Sequence, residues 1–217
     1  TLIVLILLLP YQQINAESES PDITAGAALL MDSKTSKILY SKNENEKMYP
    51  ASTTKIMTAI LTIENCNLDD IVTVPYDAIA TIPSGYSIAA LQTGEQLTVN
   101  QLLQLMMVHS ANDAANVLAF HVAGSIESFA TMMNTKVAEL GLEHTHFLNP
   151  SGMHNEDHYT TAYDLAKLMQ YCMKNSTFRT IAGLKFCTVP ATNKYGERIF
   201  TSTNELLTLV DNRNVAS

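Results

Sequence analysis

The 217-residue chain has no tryptophan, only three cysteines and no run of lysine or arginine. Thirteen basic residues against twenty-one acidic ones give a net charge of −8, which offers little attraction for a phosphate backbone. Nucleic acid is therefore not an expected partner. The cysteines, Cys66, Cys172 and Cys187, are odd in number and widely spaced, so we predict no disulfide framework. Cys172 shares a helical face with Leu165 and Leu168 and is interpreted as a core residue.

Several signatures of catalytic chemistry are also missing. The six histidines form neither an HExxH motif nor a Cys/His zinc spacing, so we expect no metal and no cofactor. A Ser-His-Asp triad lacks its G-x-S-x-G turn, because Ser151 lies instead in the turn-rich stretch "NPSGMH".

The chain opens with the apolar stretch "TLIVLILLLP", which is too short to span a bilayer. With small Ala16 at a plausible cleavage point, residues 1–16 are interpreted as the remnant of a secretory signal peptide whose beginning is missing. Residues 17–24 are an acidic, proline-containing linker. We therefore expect an exported protein whose folded domain covers residues 25–217.

The pattern of that domain predicts an α+β fold with antiparallel strands. Residues 25–31 and 37–41 form a first predicted hairpin, and residues 186–190 and 197–202 form a second. Helical periodicity predicts helices over residues 53–64, 99–108, 113–123, 126–140 and about 162–174. Thr98 with Gln101 and Thr161 with Asp164 have capping-box spacing, and Gly124 and Gly141 are placed as C-terminal caps.

Ser52 and Lys55 lie three residues apart at the start of the first predicted helix. The simplest interpretation makes Ser52 an N-cap and Lys55 a solvated surface residue. However, a cation opposes the positive end of the helix dipole, where a capping box prefers Glu or Gln. A lysine kept neutral by burial and by this field could instead remove the proton of the serine hydroxyl, which lies within its reach. The context therefore favours a serine nucleophile, Ser52, with Lys55 as its base.

A second polar stretch separates two apolar helical patterns in "MMVHSANDAANVLAF". Ser110, Asn112 and Asp113 lie at this break, where buried polar side chains need partners. The alternative is that Ser110 or Asp113 is merely the N-cap of the following helix.

Together, "LLMDSKTSKILYSKNENEKMYPASTTKIMTA", "LMMVHSANDAANVLA" and "GLEHTHFLNPSGMHNEDHYTTAYDLAKLM" resemble the penicillin-binding, serine-acylating enzymes. The resemblance is closest to the low-molecular-mass D-alanyl-D-alanine carboxypeptidases of peptidase family S11. It implies a β-lactamase/transpeptidase-like fold, an antiparallel sheet with a helical subdomain. It also implies that Ser52 is the acylated nucleophile, Lys55 its general base and Ser110 a proton relay to the leaving amine. Asn112 would hold Lys55 and the substrate's peptide amide.

One part of the family pattern is absent, because no lysine-threonine-glycine motif occurs in the chain. We interpret this as truncation, with an incomplete sheet and without the strand that binds the substrate carboxylate. Expressed alone, residues 17–217 are expected to be poorly soluble and inactive. Activity of this fragment would imply another carboxylate-binding residue, such as Lys194 or Arg198. Membrane association is expected only through the missing C-terminal segment.

The resemblance implies peptidoglycan pentapeptides ending in D-Ala-D-Ala as substrates and β-lactam antibiotics as inhibitors. Two alternatives stay open. A class A β-lactamase would need a deacylating glutamate, yet no Glu-x-x-Leu-Asn loop follows the second motif. A non-catalytic peptidoglycan-binding or penicillin-binding protein on the same fold would keep Ser52 and Lys55 as relics.

Overall fold

A computed structural model describes residues 23–209 of the chain. The proposed signal remnant, 1–16, and most of the linker, 17–24, lie outside the described residues. The helices are α1 Lys55–Asn65, α2 Tyr76–Ile79, α3 Val99–His109, α4 Asn112–Ala123, α5 Ile126–Leu140, α6 Ala162–Cys172, α7 Ser176–Ala182 and α8 Leu206–Leu209. The strands are β1 Ala28–Met31, β2 Ile38–Lys42, β3 Ile71–Thr73, β4 Gln96–Thr98, β5 Phe186–Val189 and β6 Arg198–Thr201.

Within residues 23–209, the strands form three separate antiparallel pairs, β1 with β2, β3 with β4 and β5 with β6. Both predicted hairpins are confirmed, with Leu30 opposite Tyr40 in the first and Cys187 opposite Phe200 in the second. Strands β3 and β4 were not predicted, because three residues are too few to establish an alternating pattern. The predicted mixture of helices and antiparallel strands is confirmed.

The core lies between helices α1, α3 and α4, with α5, α6 and α7 around them. Helix α4 is rich in alanine, and the small side chains of Ala114, Ala115 and Ala119 are fully buried against its neighbours. Helix α5 has the predicted bounds, and the other predicted helices agree within two residues at each end. The start of α1 differs by two residues, because a 3-10 turn, Ala51–Thr54, precedes the α-helix. Helices α2, α7 and α8 were not predicted.

The predicted helix caps are largely present. The Thr98 hydroxyl accepts the backbone N–H of Gln101, and the Gln101 side-chain oxygen accepts the backbone N–H of Thr98. These two bonds complete the capping box of α3. Gly124 and Gly141 adopt the left-handed conformation that ends α4 and α5. Thr161 caps α6 through the N–H of Asp164.

The three cysteines are free thiols, and the predicted core position of Cys172 is confirmed by its complete burial. Burial raises the pKa of Cys172 to about 12. Cys187 is also buried and Cys66 is half-buried. In the stretch 23–209, no helix has the length and apolar composition needed to cross a membrane.

Candidate active site

The candidate nucleophile, Ser52, lies in the 3-10 turn Ala51–Thr54 that leads into α1. Ser52 is exposed, whereas Lys55, the first residue of α1, is only 3% exposed. No side-chain cap bond is present at the start of the turn or of α1, so the alternative in which Ser52 is an N-cap and Lys55 a solvated residue is wrong. Ala51 has a φ of 47°, a left-handed conformation that a residue with a Cβ adopts only under strain.

The Nζ atom of Lys55 contacts three oxygen atoms from three parts of the chain. It lies 3.1 Å from the Ser52 Oγ, 2.7 Å from the Asn112 Oδ1 and 2.8 Å from the Ser151 carbonyl oxygen. Burial lowers the pKa of Lys55 from 10.5 to about 8, because the ammonium loses its hydration. With this pKa, roughly a tenth of Lys55 is neutral at pH 7, and half of it is neutral at about pH 8.

These contacts fix the direction of the lone pair once Lys55 is neutral. A neutral amine has two N–H donors and one lone pair, whereas an ammonium has three donors. A carbonyl oxygen can only accept, so Asn112 Oδ1 and the Ser151 oxygen take the two N–H groups. The lone pair then points at the Ser52 hydroxyl, which is the arrangement that a general base requires.

Asn112 and Ser110 occupy the junction between α3 and α4. The structure brings the Asn112 side chain, the first of α4, against Lys55. Ser110, two residues earlier, is half-buried and ends α3 with a left-handed φ of 58°. In the described part of the chain, no hydrogen bond joins Ser110 to Ser52 or Lys55.

The alternative role of Ser110 or Asp113 as the N-cap of α4 is wrong, because the N-cap residue is Ala111 and no side chain caps it. The Asp113 carboxylate instead accepts the backbone N–H groups of Ala89 and Leu91, at 2.9 and 3.0 Å. The loop that contains Ala89 is thereby fixed against the start of α4. The N–H of Asn112 also donates to the Ser87 carbonyl of this loop, at 2.8 Å, which helps to position Asn112.

The sequence interpretation missed the loop 148–153, which supplies the third partner of Lys55. The Asn149 Oδ1 accepts the N–H groups of Ser151, Gly152 and Met153 and so folds the loop into a tight turn. The Pro150 carbonyl of this loop also accepts a hydrogen bond from the hydroxyl of Thr58 on α1, at 2.6 Å. The stretch Asn-Pro-Ser-Gly signals such a turn, but nothing in it predicts which side chain its carbonyls will meet.

Gly152 lies against the turn that carries Ser52. Its φ is +85°, and a Cβ at this position would lie 1.8 Å from the Ala51 carbonyl oxygen. Only glycine permits this approach of two backbone segments. The short distance between loop 148–153 and the turn that carries Ser52 therefore depends on the absence of a Cβ at Gly152.

His158 was considered only as a metal ligand in the sequence and lies, buried, behind this turn. Its Nδ1 is 3.0 Å from the N–H of Leu148, and its Nε2 is 2.8 Å from the Thr54 hydroxyl. Burial, with smaller contributions from His146 and His154, lowers the pKa of His158 to about 4. Over residues 23–209, no three His, Cys, Asp or Glu side chains are arranged to hold a metal ion.

Arg198 and Lys194 were considered as alternative partners of a substrate carboxylate. The Arg198 guanidinium is buried and forms an ion pair with the fully buried Glu95, and it also donates to the Ala89 carbonyl. The charge of Arg198 is therefore already paired with Glu95 and not directed at a substrate carboxylate. Lys194 is exposed in the turn between β5 and β6.

The fold matches that of a solved DD-transpeptidase. The crystal structure of the Streptomyces K15 DD-transpeptidase superposes with a TM-score of 0.80 at 36% identity, covering 87% of this chain and 77% of that one. A model of the family described as D-alanyl-D-alanine carboxypeptidase, peptidase S11, matches residues 14–215. The chain belongs to this family.

Curated relatives carry the same family name. The D-alanyl-D-alanine carboxypeptidase DacF of Bacillus subtilis is 37% identical over 163 residues, 73% of this chain and 41% of that protein. The D-alanyl-D-alanine carboxypeptidase of Streptomyces strain K15 is 38% identical over 188 residues, 81% of this chain and 64% of that protein. The chain thus spans between about two fifths and two thirds of the length of these relatives.

Proposed function

We propose that this chain carries the acylating centre of a serine-type D-Ala-D-Ala carboxypeptidase that trims peptidoglycan stem peptides. The observation that carries the proposal is the geometry of Lys55, whose two carbonyl partners leave its lone pair for the Ser52 hydroxyl. Family membership supplies the reaction class, because curated relatives are named for this activity.

In the proposed reaction, neutral Lys55 takes the hydroxyl proton of Ser52 as the Oγ attacks the carbonyl between the two D-alanines. The positive end of the α1 dipole lies beside Ser52 and would stabilise the forming oxyanion. The peptide bond then breaks, and the leaving amine receives a proton through Ser110. The acyl group stays on Ser52 while the terminal D-alanine departs.

Water completes the cycle. It attacks the Ser52 ester, gives one proton to the neutral Lys55 and releases the shortened peptide, and the proton returns to the Ser52 oxygen. Asn112 holds Lys55 through its Oδ1 and would present its amide N–H₂ to the substrate. A metal ion or cofactor has no role in these steps.

The remaining proposals concern the whole protein. Residues 1–16 act as an export signal, residues 17–24 as a linker and residues 25–217 as the acylating domain. The protein would work on the outer face of the cytoplasmic membrane. Its substrates are pentapeptides ending in D-Ala-D-Ala, and β-lactams would acylate the same serine.

The test is intact-mass measurement after incubation of the protein, expressed from its complete coding sequence, with benzylpenicillin. We expect a single penicilloyl adduct on Ser52 that is absent from Ser52→Ala. An adduct that persists in Ser52→Ala would overturn the assignment. Rapid turnover of benzylpenicillin would support a β-lactamase instead, and absence of any adduct would support a non-catalytic protein.

The name of the Streptomyces K15 structure, a DD-transpeptidase, favours a second candidate in which an amine replaces water as the acyl acceptor. Incubation with a D-Ala-D-Ala peptide and glycine distinguishes the two. A carboxypeptidase releases D-alanine and the shortened peptide, whereas a transpeptidase yields the glycine-extended product.

A further inference from the structure

The carbonyl of Ser151 directs Lys55 but lies in a loop without regular secondary structure. Its position therefore depends on the contacts that loop 148–153 makes with the turn Ala51–Thr54 and with α1. Thr58 contributes one such contact through the Pro150 carbonyl, and the close approach of Gly152 to Ala51 sets the distance.

His158 connects the two segments directly. One ring nitrogen meets the backbone of Leu148, at the beginning of the loop, and the other meets Thr54, the residue just before Lys55. The ring is 2% exposed and packs edge-on against Phe147, with 5.5 Å between ring centroids, so it has little freedom to move.

The contact with Leu148 also determines which nitrogen carries the proton. Because the Leu148 N–H can only donate, the Nδ1 of His158 must be an unprotonated acceptor. The neutral ring then has its proton on Nε2 and donates it to the Thr54 hydroxyl. One imidazole thus accepts from the loop and donates to the turn that carries the nucleophile.

We propose that His158 is a positioning residue that sets the acylation rate of Ser52 by holding the Ser151 carbonyl against Lys55. This inference rests on the proposed function, in which Lys55 is the base. His158 does not touch the reacting atoms. Without it, the loop moves from the turn, water reaches Lys55 and the direction of the lone pair is lost.

The experiment measures the rate constant for acylation of Ser52 by benzylpenicillin as a function of pH, per molecule able to form the adduct. His158→Ala removes both bonds, and His158→Asn keeps an acceptor near the Leu148 N–H. Thr54→Val breaks the other contact with little change in volume. Ser125→Ala, which removes the half-buried N-cap of α5 far from Ser52, is the control for a general loss of stability.

For His158→Ala we expect a rate constant lower by about tenfold or more, with the midpoint of its pH profile shifted upwards as water reaches Lys55. His158→Asn should recover part of the rate, Thr54→Val should lose part of it, and Ser125→Ala should match the wild type. A structural role alone would reduce the fraction of protein that forms the adduct but would leave the midpoint unchanged.

A rate constant and a midpoint in His158→Ala that equal those of the wild type would overturn the positioning role while leaving Ser52 and Lys55 in place. Absence of any Ser52 adduct from the wild-type protein would overturn the proposed function and, with it, this inference.

Discussion

Among single residues, Lys55 is the proposed general base, because burial lowers its pKa and three oxygen partners fix the position of its amine. Lys55→Arg should abolish acylation, because an arginine keeps its proton at every accessible pH and cannot act as a base. Lys136→Arg is the matched control, since Lys136 lies on α5 in a surface pair with Glu64. Stopped-flow measurement of benzylpenicillin acylation decides the question. A rate within a few fold of the wild type would contradict the role of Lys55.

The pKa of Lys55 predicts how acylation depends on pH. The base must be neutral, so the rate should rise with pH and level off above about 8. Stability should follow the same group. The unfolded chain binds more protons than the native one between pH 8 and 10.5, so the Lys55 contribution to the free energy of unfolding grows across this window. Below pH 8 Lys55 is charged in both the native and the unfolded state. Burial of its ammonium then lowers the free energy of unfolding by about 3 kcal/mol, because one pKa unit corresponds to about 1.4 kcal/mol.

A rate profile that rises through pH 6 and is flat by pH 7 would show that another group controls acylation. Chemical denaturation at several pH values, compared between the wild type and Lys55→Met, measures the stability component separately.

Gly152 allows a prediction with a closely matched control. Gly152→Ala should abolish acylation, because the new Cβ would meet the Ala51 carbonyl oxygen and displace the turn that carries Ser52. Gly124→Ala imposes nearly the same backbone strain, since φ is +81° at Gly124 and +85° at Gly152, but its Cβ would meet no atom within 4 Å. That control should cost about 1–2 kcal/mol of stability and keep the acylation rate. Equal rates for the two variants would mean that the close approach is unimportant.

At the scale of elements, the hairpin of β5 and β6 is joined to the loop before β4 by the buried pair of Arg198 and Glu95. Glu95→Gln should destabilise the fold by about 3–5 kcal/mol, because it leaves a buried guanidinium without a countercharge. Glu64→Gln, in a partly exposed pair with Lys136, should cost no more than about 1 kcal/mol. Urea unfolding of both variants measures the difference.

The pair of Arg198 and Glu95 is connected to the candidate active site through the loop that contains Ala89. Arg198 donates to the carbonyl of Ala89, whose N–H is held by Asp113, the neighbour of Asn112. If Glu95→Gln unfolds at the urea concentration of the wild type, Arg198 has found another partner and the pair does not define the hairpin position. A double variant that also carries Arg198→Met should lose less stability than the sum of the two single changes.

Elements with strong local signals were predictable from sequence. Periodicity and caps defined α5 within its bounds, and alternating residues on either side of turn residues defined both hairpins. Short elements such as β3 and α7 were missed, because three to seven residues do not establish a period. Ser52 lies in a 3-10 turn where an N-cap was considered. The close approach of Gly152 to Ala51 constrains this turn, so its conformation is not a local property.

At the scale of the whole molecule, the site depends on contacts between distant parts of the chain. Ser52 and Lys55 could be paired from their spacing together with their place at the start of a predicted helix. The Ser151 carbonyl could not be predicted, because a backbone oxygen 96 residues from Lys55 leaves no side-chain signature. Asp113 gave a cap-like signal, yet its partners are N–H groups 22 and 24 residues earlier, which only the folded chain brings near.

The rates at which the buried thiols react with a maleimide can report the local opening of the fold. Cys172 ends α6 in the helical part and Cys187 lies in β5, and a maleimide reaches neither until its surroundings open. We expect slow modification that is faster at Cys187, because a two-stranded pair opens more readily than a packed helix. Mass spectrometry of each peptide over time would give both rates. Glu95→Gln should accelerate labelling of Cys187 much more than that of Cys172, and equal acceleration would mean that hairpin and helices open as one cooperative unit.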